Sequence, residues 1–181
     1  MIKNIIKNKL TKLLVLATLL LSAMPVFCSG ILPYIKKRGK IYFLISQEAG
    51  GRDKYKWADF GGDSKRGESP RQAAAREAHE ESGKIFGKFG GRKFWHRAIT
   101  GQYGRHSFVA DITHAVNKLG GKQAVLRKLR KTKGGGEKMN YLWISRQQLI
   151  NPHRIPIIKG HKVKFRKYFY NKRRALARKA K

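Results

Sequence analysis

Carboxylates are scarce in this chain, ten Asp and Glu against forty-two Lys and Arg, and half of them are gathered in one place. Asp63, Glu68, Glu77, Glu80 and Glu81 all lie within residues 62–83, and Asp59 lies just before. Clustered carboxylates repel one another unless a cation lies among them. Oxygen ligands that leave positions open for water and phosphate suit Mg²⁺ or Mn²⁺. The plainer alternative is a solvated acidic face paired with Lys and Arg.

The element that positions these groups is readable nearby. Ser69 followed by Pro70 has the form of a helix N-cap with proline at the first helical position, and Gln72 stands where a capping-box partner belongs. Ala73, Ala74, Ala75, Arg76 and Glu77 are mostly good helix formers, and Gly83 is placed to end the run. A helix over residues 70–82 is therefore expected. At about 100° per residue, Glu81 lies near +40° and Glu80 near −60° from Glu77, so the three share one face. Ala74, Ala75 and Ala78 form a neighbouring face small enough to lie close against a sheet. Arg76 sits beside Glu80, and His79 points away from the carboxylates.

The order Gly62, Glu68, Arg76-Glu77, Glu80-Glu81, Gly83 resembles the Nudix box at every charged and glycine position. Two packing positions depart from it: Ala78 replaces a bulky aliphatic residue, and Lys84 follows the last glycine. The resemblance implies an α/β fold, a Nudix-type α/β/α sandwich with a mixed β-sheet. It also implies hydrolysis of a diphosphate linkage in a nucleoside diphosphate joined to a group X. On that reading Glu77, Glu80 and Glu81 are metal ligands. Glu68 either joins them or pairs with Arg76, which then supports the helix carboxylates from behind. Glu137 resembles, by position alone, a late loop glutamate that serves as further ligand or base. Glu77, Glu80 and Glu137 all remain candidates for the base. Gly61 and Gly62 allow a phosphate to approach the backbone closely.

The rest of the chain frames this stretch. Residues 1–30 read as a signal peptide or N-terminal anchor: four lysines, an apolar run over residues 13–21, then small residues and a proline. The run is short for a bilayer span of about 20 residues, which favours cleavage and export, after Ala23, Cys28 or Gly30; an uncleaved segment would anchor the chain in a membrane. Residues 31–160 are expected to form the hydrolase domain, with strands at 31–35, 40–45, 57–62, 93–99, 107–112 and 141–144. Helical segments are expected within 113–132, broken at Gly120-Gly121, and over 146–150, capped by Ser145. Residues 47–55, the basic 86–93 and 133–138 read as loops. Residues 161–181 are expected to be a basic helix or tail, with 172–181 disordered or following a polyanion. The single cysteine, Cys28, rules out an internal disulfide and a cysteine zinc site. The six histidines show no ligand spacing.

A net charge of +32 concerns partners rather than fold. It favours phosphorylated nucleotide-type substrates with several phosphates, RNA ends or other polyanions. A function of another class fits the same charge: a basic nucleic-acid-binding protein using the Nudix fold as a scaffold. The intact charged positions of the box favour the enzyme. ADP-ribose, dinucleoside polyphosphates, capped RNA, oxidised nucleotides and diphosphoinositol phosphates all stay open as substrates.

Overall fold

The computed structural model describes residues 11–12, 27–87, 95–100, 105–132, 136–156 and 162–180, with 95–100 as backbone only. Most of the expected signal segment therefore lies outside the described residues, as do most of the basic loop at 86–93 and residues 133–135. Among the described residues, no helix is long and apolar enough to cross a membrane.

The element order is β1 (Cys28–Lys37), β2 (Lys40–Glu48), β3 (Trp57–Ala58), β4 (Phe60–Asp63), α1 (Pro70–Glu81), β5 (Trp95–Thr100), β6 (His106–Asp111), α2 (Thr113–Lys118), α3 (Gly121–Thr132), β7 (Lys138–Ser145), α4 (Arg146–Ile150), a 3-10 turn (Pro152–Arg154) and α5 (Lys167–Lys179). One mixed sheet runs β3-β2-β1-β6-β5, with β4 also on β1 and β7 also on β2. β1 and β6 are parallel; the other pairs are antiparallel. One edge of β1 serves two strands. Its first residues, Cys28 to Ile31, pair with β4, and Tyr34 to Lys37 pair with β2. This fork carries the Gly61-Gly62 strand away from the rest of the sheet and into α1.

Side chains alternate along the strands and build a core on each face. Ile31, Ile35, Leu44, Phe108 and Tyr141 pack under α1, α2 and α3, meeting Ala74, Ala78, Val116, Val125 and Leu129. Leu32, Tyr34, Phe43, Ile45, Val109 and Ile144 pack under α4 and α5, meeting Leu149, Phe169 and Leu176. The result is the expected α/β/α sandwich with a mixed sheet.

Two boundaries differ from expectation. β1 begins at Cys28 and is hydrogen-bonded from that residue onward, three residues before the expected start at Ile31. The backbone of Phe27 also exchanges bonds with Ser64. Residues 172–180 are not a tail: α5 runs to Lys179, and Leu176, Ala177 and Ala180 are buried. Phe169, Leu176, Ala177 and Ala180 recur at i, i+7, i+8 and i+11, one helical stripe thinned by the basic residues between them. α5 is also pinned by polar contacts. The Tyr168 hydroxyl donates to the buried Asp59, and the Arg105 guanidinium lies 3.5 Å over the Tyr168 ring.

Candidate active site

α1 starts where its capping residues dictate. The Ser69 hydroxyl accepts from the Gln72 N–H, and the Gln72 side chain accepts from the Ser69 N–H. Pro70 takes the first helical position, where no N–H is needed. Gly83 follows the C-cap at φ +59°. A Cβ there would lie 2.2 Å from Thr132 Oγ1, so α1 ends against the end of α3. From that end the chain leads by way of residues 133–135 to Glu137.

Glu77, Glu81 and Glu137 converge: one carboxylate oxygen from each lies within 4.8 Å of the others. Glu81 is buried, Glu77 half-buried and Glu137 exposed. Glu81 Oε2 accepts the Gly61 N–H at 2.8 Å, which ties the helix to β4, and the Tyr141 hydroxyl donates to the Glu81 carbonyl. Burial raises the Glu81 carboxyl above its ordinary range, against the pull of Lys138. Burial likewise raises Glu77, Arg76 opposes the shift, and Glu80 and Glu137 add to it. Negative charge is in excess here, and an all-oxygen donor set of three carboxylates fits a hard divalent cation.

Arg76 gathers the remaining acids. It donates to both oxygens of Glu68, at 2.8 and 3.0 Å, to Glu77 at 2.6 Å, to Glu80 at 3.1 Å and to the Asp63 carbonyl. Glu68 is thereby spent on Arg76, the pairing that was one of its two expected roles, and it stands apart from the three converging carboxylates. Glu80 also stands apart, because its place on the helix turns it outward, half-exposed, toward Arg76. Gly62 faces the site: a Cβ would lie 2.8 Å from the Glu77 carboxyl. Gly61 is crowded from the other side, with the Ser29 carbonyl oxygen 2.3 Å from any Cβ. His79 Nδ1 lies 3.0 Å from the Gly87 carbonyl oxygen, away from the cluster.

Two residues of this neighbourhood escape a reading of the sequence. Lys138, buried, and Glu48, partly buried, form an ion pair at 2.8 Å, and Lys138 also reaches Glu81 at 2.9 Å. They face each other across β2 and β7 beside a bulge at Gln47/Glu48. Ninety residues apart, they share no local pattern; only the scarcity of acids marked Glu48 as worth placing.

A family model described as NUDIX domain matches residues 28–163. No curated protein matches the chain. Among solved structures, the chain is similar to a Nudix hydrolase, RenU, from M. smegmatis, at 15% identity over 84% of each chain with a TM-score of 0.50. It is also similar to a mutT/nudix family protein from Listeria innocua, at 16% identity over 85% of this chain and 90% of that one, with a TM-score of 0.48. A third is the C. elegans Ap4A hydrolase in a binary complex, at 18% identity over 86% and 94%, with a TM-score of 0.47.

Proposed function

We propose that this chain, which belongs to the Nudix family, is a divalent-cation-dependent hydrolase that cleaves a diphosphate linkage in a nucleoside diphosphate joined to X, or in a related polyphosphorylated compound. The observation that carries the reading is the convergence of Glu77, Glu81 and Glu137 beside the Gly61-Gly62 stretch of β4.

Those three carboxylates would hold Mg²⁺ or Mn²⁺. When bound, such a cation supplies neutralisation of the diphosphate oxygens and makes water more acidic. The chain's own residues supply position. Gly62, lacking a Cβ, leaves room for the Glu77 carboxyl, and the Gly61 N–H fixes Glu81. Arg76 holds Glu77 in its rotamer and keeps Glu68 and Glu80 at the rim. Water attacks one phosphorus, the bridging P–O bond breaks, and the proton of the water passes to a carboxylate. Glu137, the exposed member of the three, is the acceptor in this proposal, and Glu77 and Glu80 are the alternatives.

The substrate is proposed to be rich in phosphates. Arg127, Lys128, Arg130 and Lys131 are exposed on α3, whose last residue touches Gly83. Lys128 lies one turn before Thr132 on the same flank of the helix, toward α1. These cations favour a polyphosphate or an RNA end over a singly linked ADP compound. They are also what a nucleic-acid-binding scaffold without turnover would need. Hydrolysis of a panel of such compounds with Mg²⁺, Mn²⁺ or excess EDTA tests the proposal. Wild-type turnover in EDTA, or binding of RNA with no turnover of any member, counts against it.

Export is part of the proposal, resting on the pattern of residues 1–26. Cleavage after Ala23 leaves β1 whole, whereas cleavage after Cys28 or Gly30 would remove residues that pair with β4. N-terminal sequencing of the secreted and membrane fractions distinguishes the two; intact Met1 on membrane-bound protein points to an anchor.

A further inference from the structure

The Lys138 side chain is 1% exposed. An ammonium at that depth is costly unless anionic partners offset its lost hydration. Two do: Oε2 of Glu48 at 2.8 Å and Oε1 of Glu81 at 2.9 Å.

The three groups come from three elements, the end of β2, the end of α1 and the start of β7. Each carboxylate is also fixed from its other oxygen. Glu48 Oε1 accepts from Arg166 at 3.0 Å, and Glu81 Oε2 accepts from Gly61. Arg166 is in turn paired with Asp53 at 2.8 Å. Two carboxylates from different elements, each fixed from behind and facing one cation between them, have the arrangement of a bridged metal position. Here the cation is a side chain of the same polypeptide.

We infer that the Lys138 ammonium is a built-in cation of the carboxylate site, taking the position between Glu48 and Glu81 that a divalent ion would otherwise fill. The inference rests on the reading that Glu77, Glu81 and Glu137 hold a divalent cation. It makes Lys138 a positioning residue, because the ammonium presents Glu81 to that cation without needing a further ion. It also accounts for Glu48, which lies outside the box and pairs with both Lys138 and Arg166.

The test counts Mn²⁺ bound per chain by electron paramagnetic resonance, without substrate, in the wild type, Lys138→Met and Glu48→Gln/Lys138→Met. Lys138→Met is expected to bind one Mn²⁺ more than the wild type and to gain more thermal stability from Mn²⁺. The double variant, with one bridging carboxylate removed, is expected to return to the wild-type count. The same count in the wild type and Lys138→Met overturns the inference while leaving the hydrolase reading in place. A Lys138→Met protein that stays unfolded in saturating Mn²⁺ overturns it equally, since Mn²⁺ would then fail to replace the ammonium. A wild type that binds no Mn²⁺ overturns both the inference and the reading beneath it.

Discussion

Gly62 faces the carboxyl group of Glu77 so closely that a methyl group on the glycine would lie 2.8 Å from Cδ and Oε2. The obstacle is the end of a side chain, which can turn aside. At Gly61 the obstacle is the Ser29 carbonyl oxygen, 2.3 Å away, and backbone in a paired strand cannot move. Gly62→Ala is therefore expected to fold normally and lose activity, because Glu77 is displaced. Gly61→Ala is expected to lose stability by about 1–3 kcal/mol or more, the usual range for overpacking. Thermal melts and kcat for the two variants check the contrast.

The carboxylates should not be equivalent. Glu77→Gln and Glu81→Gln are each expected to lower kcat by on the order of a hundredfold or more, the scale of losing a main source of charge stabilisation in the transition state. Glu80→Gln, outside the converging three, is expected to cost roughly tenfold or less on the same grounds. Steady-state kinetics at saturating Mg²⁺ decide this. Equal losses at all three positions would put Glu80 back among the ligands.

Glu68 predicts a pH effect. Hydrogen bonds from Arg76 hold its carboxyl below its ordinary 4.5. A carboxylate lowered in the folded state stabilises the fold above the unfolded value, and the benefit is lost as pH falls through the folded value. Glu68→Gln should thus melt earlier than the wild type at pH 7, and the gap should narrow as pH falls below the ordinary glutamate value. Melting curves of both proteins from about pH 2 to 7 provide the check; a gap that does not narrow across that range would exclude an ionic origin.

The C-terminal helix gives a fourth prediction. Because Leu176 is fully buried, Leu176→Ala should cost about 2–5 kcal/mol. Removal of residues 172–181 should prevent stable folding and so says nothing about polyanions. The informative change is reversal of the exposed cations Lys167, Arg174 and Arg178. If α5 holds a polyanion, that variant melts like the wild type, raises KM for an RNA-end substrate and flattens its salt dependence. A KM unchanged at low and high salt would make α5 a solvated surface.

What was legible in the sequence was local. Ser69, Pro70, Gln72 and Gly83 mark the ends of α1 through contacts spanning a few residues, and the expected 70–82 differs from Pro70–Glu81 by one position. Ser145 does the same for the start of α4. The relation of Glu137 to Glu77 was visible only through the family likeness, because it joins residues sixty positions apart, beyond the reach of any local spacing. The pairing of Lys138 with Glu48 depends on the register of β2 against β7, which no local spacing encodes. β1 began earlier than expected because small residues in Cys28-Ser29-Gly30 suit a cleavage region and equally suit a strand crowded by β4. The second half of α5 was hidden by its charge, its apolar stripe being carried by a few residues among many Lys and Arg.

The first residue of β1 offers a native reporter. Cys28 is the only thiol in the chain, and its Sγ donates to Asp63 Oδ1 at 2.6 Å, one residue beyond Gly62 on the paired strand. Burial raises the thiol above its ordinary value, so reagents should modify it slowly while β1 and β4 stay joined. The rate of alkylation then clocks how often the strand leading into α1 lifts from the sheet. A substrate or cation that steadies the glycine strand should slow that clock, in unmutated protein and without any turnover.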